Sequence, residues 1–158
     1  MDDDFLTAAA QFPYGPLLGL DLGTKTIGVA VSTPNRSLAT PVTTIRRTKF
    51  TGDAEALIAL AAERNVVGLV LGLPRNMDGT EGPRAQSTRA FARNLRRVTD
   101  LPVAYWDERL STAAAERELI ALDTSRARRA AVIDEMAASY ILQGALDRMN
   151  AAAQREHP

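Results

Sequence analysis

Apolar and polar positions change rhythm along the chain, and the changes separate strands from helices. Residues 17–32 read as two short apolar strands joined at Gly23-Thr24-Lys25-Thr26, because β-formers flank a polar, glycine-led turn. Thr33-Pro34-Asn35 is a turn, and 37–47 is a third strand. Pro41 has no N–H for a ladder, so that strand belongs at an edge or carries a bulge. Thr51-Gly52-Asp53 supplies caps for a helix over 54–64, with Leu57, Leu60 and Ala61 at helical spacing. Residues 66–73 are apolar on both parities, as in a strand covered on both faces. A turn-rich loop over 74–84 leads into a helix over 85–98, with Phe91, Leu95 and Val98 facing inward. A further buried strand over 101–106 ends in Asp107-Glu108-Arg109, and Ser111 and Thr112 cap a helix over 113–122. A polar, Arg-rich link from Asp123 precedes a last helix over 128–150.

Three strands, helix, strand, helix, strand and two helices imply an α/β fold. Its sheet is mixed: antiparallel in the first strands, parallel later, with helices on both faces. Residues 17–150 form one domain, preceded by a flexible extension over 1–16 and followed by a tail over 151–158. No apolar run is long enough to span a membrane, and Met1-Asp2-Asp3-Asp4 is acidic where a secretory signal is basic. The expected location is the cytoplasm.

Composition narrows the chemistry mostly by what is missing. With no cysteine among 158 residues, disulfides, thiolate zinc sites and cysteine nucleophiles are excluded. The single histidine, His157, is penultimate, so a catalytic triad or a histidine general base would rest on the chain end. What remains is carboxylates, hydroxyls, Lys and Arg, and a metal held by oxygen, which favours Mg²⁺ or Mn²⁺. Lys plus Arg equals Asp plus Glu at 19 each, so net charge announces no partner. Arg93, Arg96 and Arg97, and Arg126, Arg128 and Arg129, form two clusters of the kind that usually make solvated helix surface.

Three places put acid where apolar residues belong. Asp21 lies inside the first strand, Asp107-Glu108 ends a buried strand, and Asp134 shares a helix face with Ala138 and Ile141. Converging carboxylates stay ionised only beside cations, so the cluster is a site for one or two divalent metals. Two such ions, typically about 4 Å apart, activate water and stabilise the leaving oxygen of a phosphoryl displacement. Phosphodiester hydrolysis is the natural reaction, with Lys25, Arg75, Arg84 and Arg109 available to bind phosphates by charge.

The same residues carry a resemblance. Gly19-Leu20-Asp21-Leu22-Gly23-Thr24-Lys25, Ile27-Gly28-Val29-Ala30-Val31-Ser32, Gly72-Leu73-Pro74 with Asn76-Met77-Asp78-Gly79, Asp107-Glu108-Arg109-Leu110-Ser111-Thr112, and Asp134 with Ala137-Ala138 and Ile141-Leu142-Gln143 resemble the YqgF/RuvX family in order across about 17–147. Its members are known as Holliday junction resolvases and as nucleases maturing the 5′ end of pre-16S ribosomal RNA. The resemblance implies an RNase H-like fold and catalytic, metal-binding roles for Asp21, Glu108 and Asp134. Asp107 either shares the site or points away while Glu108 reaches in, and Glu108 is preferred. The chain has Thr26 where members usually have Arg, and Thr33 where they have Asp. The first change removes a phosphate contact and the second an acid near the rim.

The implied substrates are an RNA precursor, alone or on a ribosomal particle, and a branched DNA junction, which would require a two-fold dimer. Two other classes compete. Asp-Leu-Gly-Thr also resembles the phosphate loop of actin-like ATPases and sugar kinases, but those need two such domains and this chain has room for one. A non-catalytic nucleic-acid-binding module would leave the three acids idle, at a cost in stability.

Overall fold

A computed structural model of the chain describes residues 2–110 and 126–156. The elements run α1 (Asp2–Ala9), β1 (Leu17–Leu22), β2 (Thr26–Ser32), β3 (Ala39–Arg46), α2 (Phe50–Glu63), β4 (Gly68–Leu73), α3 (Pro83–Leu95), β5 (Val103–Asp107) and α4 (Arg126–Glu156). The expected helix over 113–122, its caps Ser111 and Thr112, and His157 lie outside the described residues. So do the link from Asp123 and the side chains of Arg126, Arg128 and Arg129.

The strands form one mixed sheet in the order β3-β2-β1-β4-β5. β1 pairs antiparallel with β2, and β2 with β3, while β1, β4 and β5 run parallel. Pro41 sits on the edge strand, and the β2–β3 register slips beside it. Val29 faces Thr43 but Ala30 faces Pro41, so Val42 is the extra residue of a bulge. Both homes anticipated for this proline are therefore realised at once.

Strand alternation sorts the core into two layers. Leu18, Leu20, Leu22, Ile27, Val29, Leu69 and Leu71 face α2 and α3, meeting Leu57, Phe91 and Leu95. Leu17, Ala30, Val70, Ala104 and Trp106 face α1 and α4, meeting Phe5, Ala138, Ile141, Leu142 and Leu146. Helices thus cover both faces, as the order of elements predicts.

Four assignments depart from expectation by three residues or more. Within the segment read as a flexible extension, Asp2–Ala9 is a helix and Phe5, Ala9 and Phe12 are buried. The Phe5 ring packs edge-on against Trp106, centroids 5.2 Å apart. Such pairs contribute about 1 kcal/mol beyond the area they bury. The three aspartates that obscured this helix are its first three residues, where the helix dipole favours negative charge. α2 starts at Phe50 rather than 54 because Asp53 works from inside the helix. Its Oδ1 accepts hydrogen bonds from the Thr48 N–H at 3.0 Å and the Thr48 hydroxyl at 3.3 Å. α3 stops at Leu95, which leaves Val98 53% exposed instead of inward. α4 runs through the alanines at 151–153 to Glu156, because alanine is the strongest helix former.

Candidate active site

Asp21 is next to last in β1, 7% exposed, on the sheet face covered by α4. In the ladders its level is shared by two glycines. Gly28 of β2 is its antiparallel partner, and Gly72 of β4 follows Leu71, the partner of Leu20. Each glycine makes room for another of the expected acids. A Cβ on Gly28 would lie 1.9 Å from the carbonyl oxygen of Asp134, so α4 rests its backbone directly on β2 there. A Cβ on Gly72 would lie 3.3 Å from Cγ and Cδ of Glu108, so that side chain lies over β4. Asp134, Asp21 and Glu108 therefore sit above three adjacent strands, spaced by about 4.8 Å each.

Thr26 completes the arrangement from the start of β2. Its hydroxyl donates to Asp134 Oδ2 at 2.6 Å across 108 positions of sequence. The sequence marked Thr26 only as a missing arginine; its tie to Asp134 depends on a tertiary contact that no local pattern announces. The donors are all oxygen atoms, the chemistry that Mg²⁺ and Mn²⁺ prefer. Among the described residues, no three His, Asp or Glu side chains are gathered closely enough to enclose a metal. The set is thus aligned on one face without being drawn into a closed cage.

Asp107 takes the other face. Arg109 Nη2 lies 2.7 Å from its Oδ2, and the Arg109 N–H donates to its Oδ1 at 3.0 Å. Arg75 Nη1 approaches Oδ2 at 3.6 Å and its Nε lies 3.5 Å from Glu81, which takes two bonds from Arg89 at 2.6 and 2.7 Å. Arg89 in turn stacks on Tyr105 at 4.8 Å. Asp107, the last residue of β5, joins this arginine cluster, while Glu108 opens a short 3-10 turn (Glu108–Leu110) and lies over Gly72, at the level of Asp21. Arg75 and Arg109, anticipated as phosphate ligands, are placed on Asp107. Lys25 is exposed on the β1–β2 turn, and Arg84 Nη2 donates to the Leu22 carbonyl at 3.4 Å. Thr33 is not at the rim: it follows β2 at the far end of the sheet, five residues from Gly28, or about 16 Å along the strand. There its hydroxyl organises the turn to β3 with Asn35 and Ser37.

The Asp107 cluster makes stability depend on acidity. Burial disfavours its charged form, but hydrogen bonds from the Arg109 side chain and backbone, and the charges of Arg109 and Arg75, outweigh burial and hold the carboxyl below its ordinary value. The unfolded carboxyl titrates near about 3.9 and the folded one lower, so the stabilisation is complete above the unfolded value and lost as pH falls through the folded one. Asp107→Asn is expected to cost about 2 kcal/mol at neutral pH. It is also expected to flatten the loss of stability between about pH 5 and pH 3, followed by urea unfolding. Equal acid sensitivity in both proteins would remove Asp107 from this account.

Comparison with known proteins identifies the family and the fold. A family model described as RuvX, Holliday junction resolvase, matches residues 15–148. A Rhodopseudomonas palustris (strain TIE-1) protein named "Putative pre-16S rRNA nuclease" is 69% identical over 152 residues, spanning 96% of this chain and 95% of the relative. One of the same name from Cereibacter sphaeroides (strain ATCC 17025 / ATH 2.4.3) is 68% identical over 148 residues, spanning 94% and 91%. Among solved structures, Thermus thermophilus RuvC in complex with Holliday junction substrate matches with a TM-score of 0.54 at 9% identity, over 86% of this chain and 96% of that one. A second Thermus thermophilus RuvC structure matches with a TM-score of 0.53 at 11% identity, over 85% and 96%. At such identities the likeness speaks for the fold, which is RNase H-like. With its motifs in order and its length matched almost throughout, the chain belongs to the RuvX (YqgF) family of nucleases.

Proposed function

We propose that this nuclease is a divalent-metal-dependent endonuclease that hydrolyses phosphodiester bonds during 5′-end maturation of pre-16S ribosomal RNA in the cytoplasm. The observation that carries the reading is the row of acids: Asp21 between two glycines, with Asp134 over one and Glu108 over the other. The names of the relatives at 68 and 69% identity support the RNA substrate. Asp21, Glu108 and Asp134 would hold Mg²⁺ or Mn²⁺, which when bound activates water and stabilises the departing oxygen. Thr26 engages Oδ2 of Asp134 and so orients the carboxylate that would hold the cation. Lys25 and Arg84, at the end of β1, bind the substrate's phosphates by charge.

The hydroxyl of Thr26 acts through Asp134 and is a positioning group. Groups of this kind typically contribute ten- to a hundredfold in metal affinity or activity. Thr26→Ala is expected to weaken Mn²⁺ binding, measured by calorimetry, and cleavage together by about that factor, and Thr26→Ser to restore both. Wild-type affinity in Thr26→Ala would show that the bond serves stability alone.

A second reading is favoured by the family model's description: resolution of a four-way DNA junction. A resolvase cuts two strands symmetrically and so works as a two-fold dimer. Both readings are tested by incubating purified protein with a pre-16S RNA fragment, a pre-ribosomal particle and a synthetic four-way junction, each with Mn²⁺, Mg²⁺ or EDTA. Metal-dependent cutting of the RNA alone or on the particle supports maturation. Paired nicks in the junction by a dimer support resolution, and binding without cutting of any substrate would leave only a nucleic-acid-binding module.

A further inference from the structure

The cleft behind the β1–β2 turn lies apart from the row of acids, and of its lining only Arg84 has been given a role above. Its volume is about 460 Å³, and Gly23, Thr24, Arg47, Arg84, Ser87 and Thr88 are among the residues lining it. Two features define its character. Among the described residues, no acidic residue and no aromatic ring lines it, whereas two guanidiniums and several hydroxyls do. Both guanidiniums are held in place by carbonyls at the end of β1. Arg84 donates from Nη2 to Leu22 at 3.4 Å, and Arg47 donates from Nη1 to Gly23 at 2.5 Å while its guanidinium lies 5.5 Å from the Phe91 ring centre. A guanidinium carries five N–H donors, and these carbonyl bonds use one from each. Two like charges lining one cleft repel, and an anion between them relieves that repulsion.

The placement identifies the anion. Leu22 lines the cleft and faces α2 and α3, while its neighbour Asp21 faces α4. Cleft and acids therefore lie on opposite faces at the same end of the sheet, with exposed Thr24 and Lys25 on the turn between them. We infer that the cleft holds a backbone phosphate of the substrate strand, on the far side of this turn from the bond that is cut. The inference rests on the nuclease reading for the identity of the anion as a phosphodiester. With no ring for a base to stack on, the contact is independent of sequence, set by Arg47 and Arg84 as charge-assisted donors. It adds Arg47 to the substrate-binding residues and makes the turn a saddle that the strand crosses.

The test separates this subsite from catalysis by working in EDTA. Binding of a fluorescein-labelled RNA oligonucleotide spanning the pre-16S 5′ boundary, and of a labelled four-way junction, is followed by anisotropy across a series of KCl concentrations. The proteins are wild type, Arg47→Gln, Arg84→Gln, the double variant, and Arg64→Gln, which changes an exposed residue beyond the far end of α2. Each lost phosphate contact is expected to lower the slope of log K against log salt by about 0.7 to 0.9, the double variant losing about twice that and about tenfold or more in affinity. A scrambled oligonucleotide should behave the same, and Arg64→Gln should match wild type. Arg47 packs on Phe91, so should Arg47→Gln melt early, Arg84→Gln decides, since Arg84 is exposed. Unchanged slope and affinity in folded Arg84→Gln, or no binding of either probe by wild type, would overturn the subsite. Parallel cleavage by wild type in Mn²⁺ keeps the two readings apart: cutting with unchanged slopes sinks the subsite alone, and altered slopes without cutting sink the nuclease alone.

Discussion

Asp21→Asn is expected to reduce cleavage by about a thousandfold or more while leaving the fold intact. Asparagine keeps the shape and hydrogen-bonding reach of the side chain and removes only its charge. A bound cation contributes several kcal/mol of transition-state stabilisation, and a loss of about 4 kcal/mol corresponds to about 10³ in rate. The stability of the protein should move the other way or not at all. Asp21 is 7% exposed in a strand that is otherwise Leu and Gly, and a neutral amide there avoids the cost of desolvating a carboxylate. The signature is thus inactivity in a protein that melts no earlier than wild type. Retained cleavage of both RNA and junction would place the chemistry elsewhere.

Gly28→Ala is expected to give the opposite signature, losing stability and activity together. The added Cβ would stand 1.9 Å from the carbonyl oxygen of Asp134, 2.4 Å from its carbonyl carbon and 3.1 Å from the Glu135 nitrogen. These are backbone atoms of a helix, so no side chain can turn aside to make room. α4 must lift as a unit, and it carries Ala138, Ile141, Leu142, Ala145 and Leu146 into the core. Overpacking against such a support costs about 3 kcal/mol or more, or roughly 9 °C in melting temperature for a domain of this size. Lifting α4 also withdraws Asp134 from the row of acids and lengthens its bond to Thr26. Thermal unfolding and cleavage measured on one preparation check both effects, and a Gly28→Ala protein that melts like wild type would show that α4 does not rest on β2.

These two residues mark where the sequence is informative and where it is silent. A charge inside a run of leucines is a local anomaly, so Asp21 stands out on inspection. The strands stand out too, because alternation and Pro41 are written in adjacent positions. Between Asp107 and Glu108 the sequence leaves a choice, and the structure resolves it where β5 ends: Asp107, the last strand residue, lies among arginines, and Glu108, in the 3-10 turn that follows, lies over Gly72. A glycine inside a strand marks a place where something approaches closely, and Gly28 says no more than that. That the visitor is the backbone of Asp134 depends on how α4 docks, which no window of local sequence encodes. Thr26 was hidden for the same reason, and Arg47 reads as nothing more than the last residue of a strand. The helix α1 escaped because its aspartates and the nearby prolines mask the spacing of Phe5, Ala9 and Phe12, three apolar residues set four and three apart.

The bond between Thr26 and Asp134 joins residues made at opposite ends of synthesis. β1, β2 and β3 can pair while the chain is still growing, since their contacts are local. Asp21 is then already in place, but it stands alone until Glu108 has been added and α4 has been made and has settled over Gly28. If these three acids form the proposed site, its cutting power arrives only with the last third of the chain, and the order of translation itself acts as a safety catch.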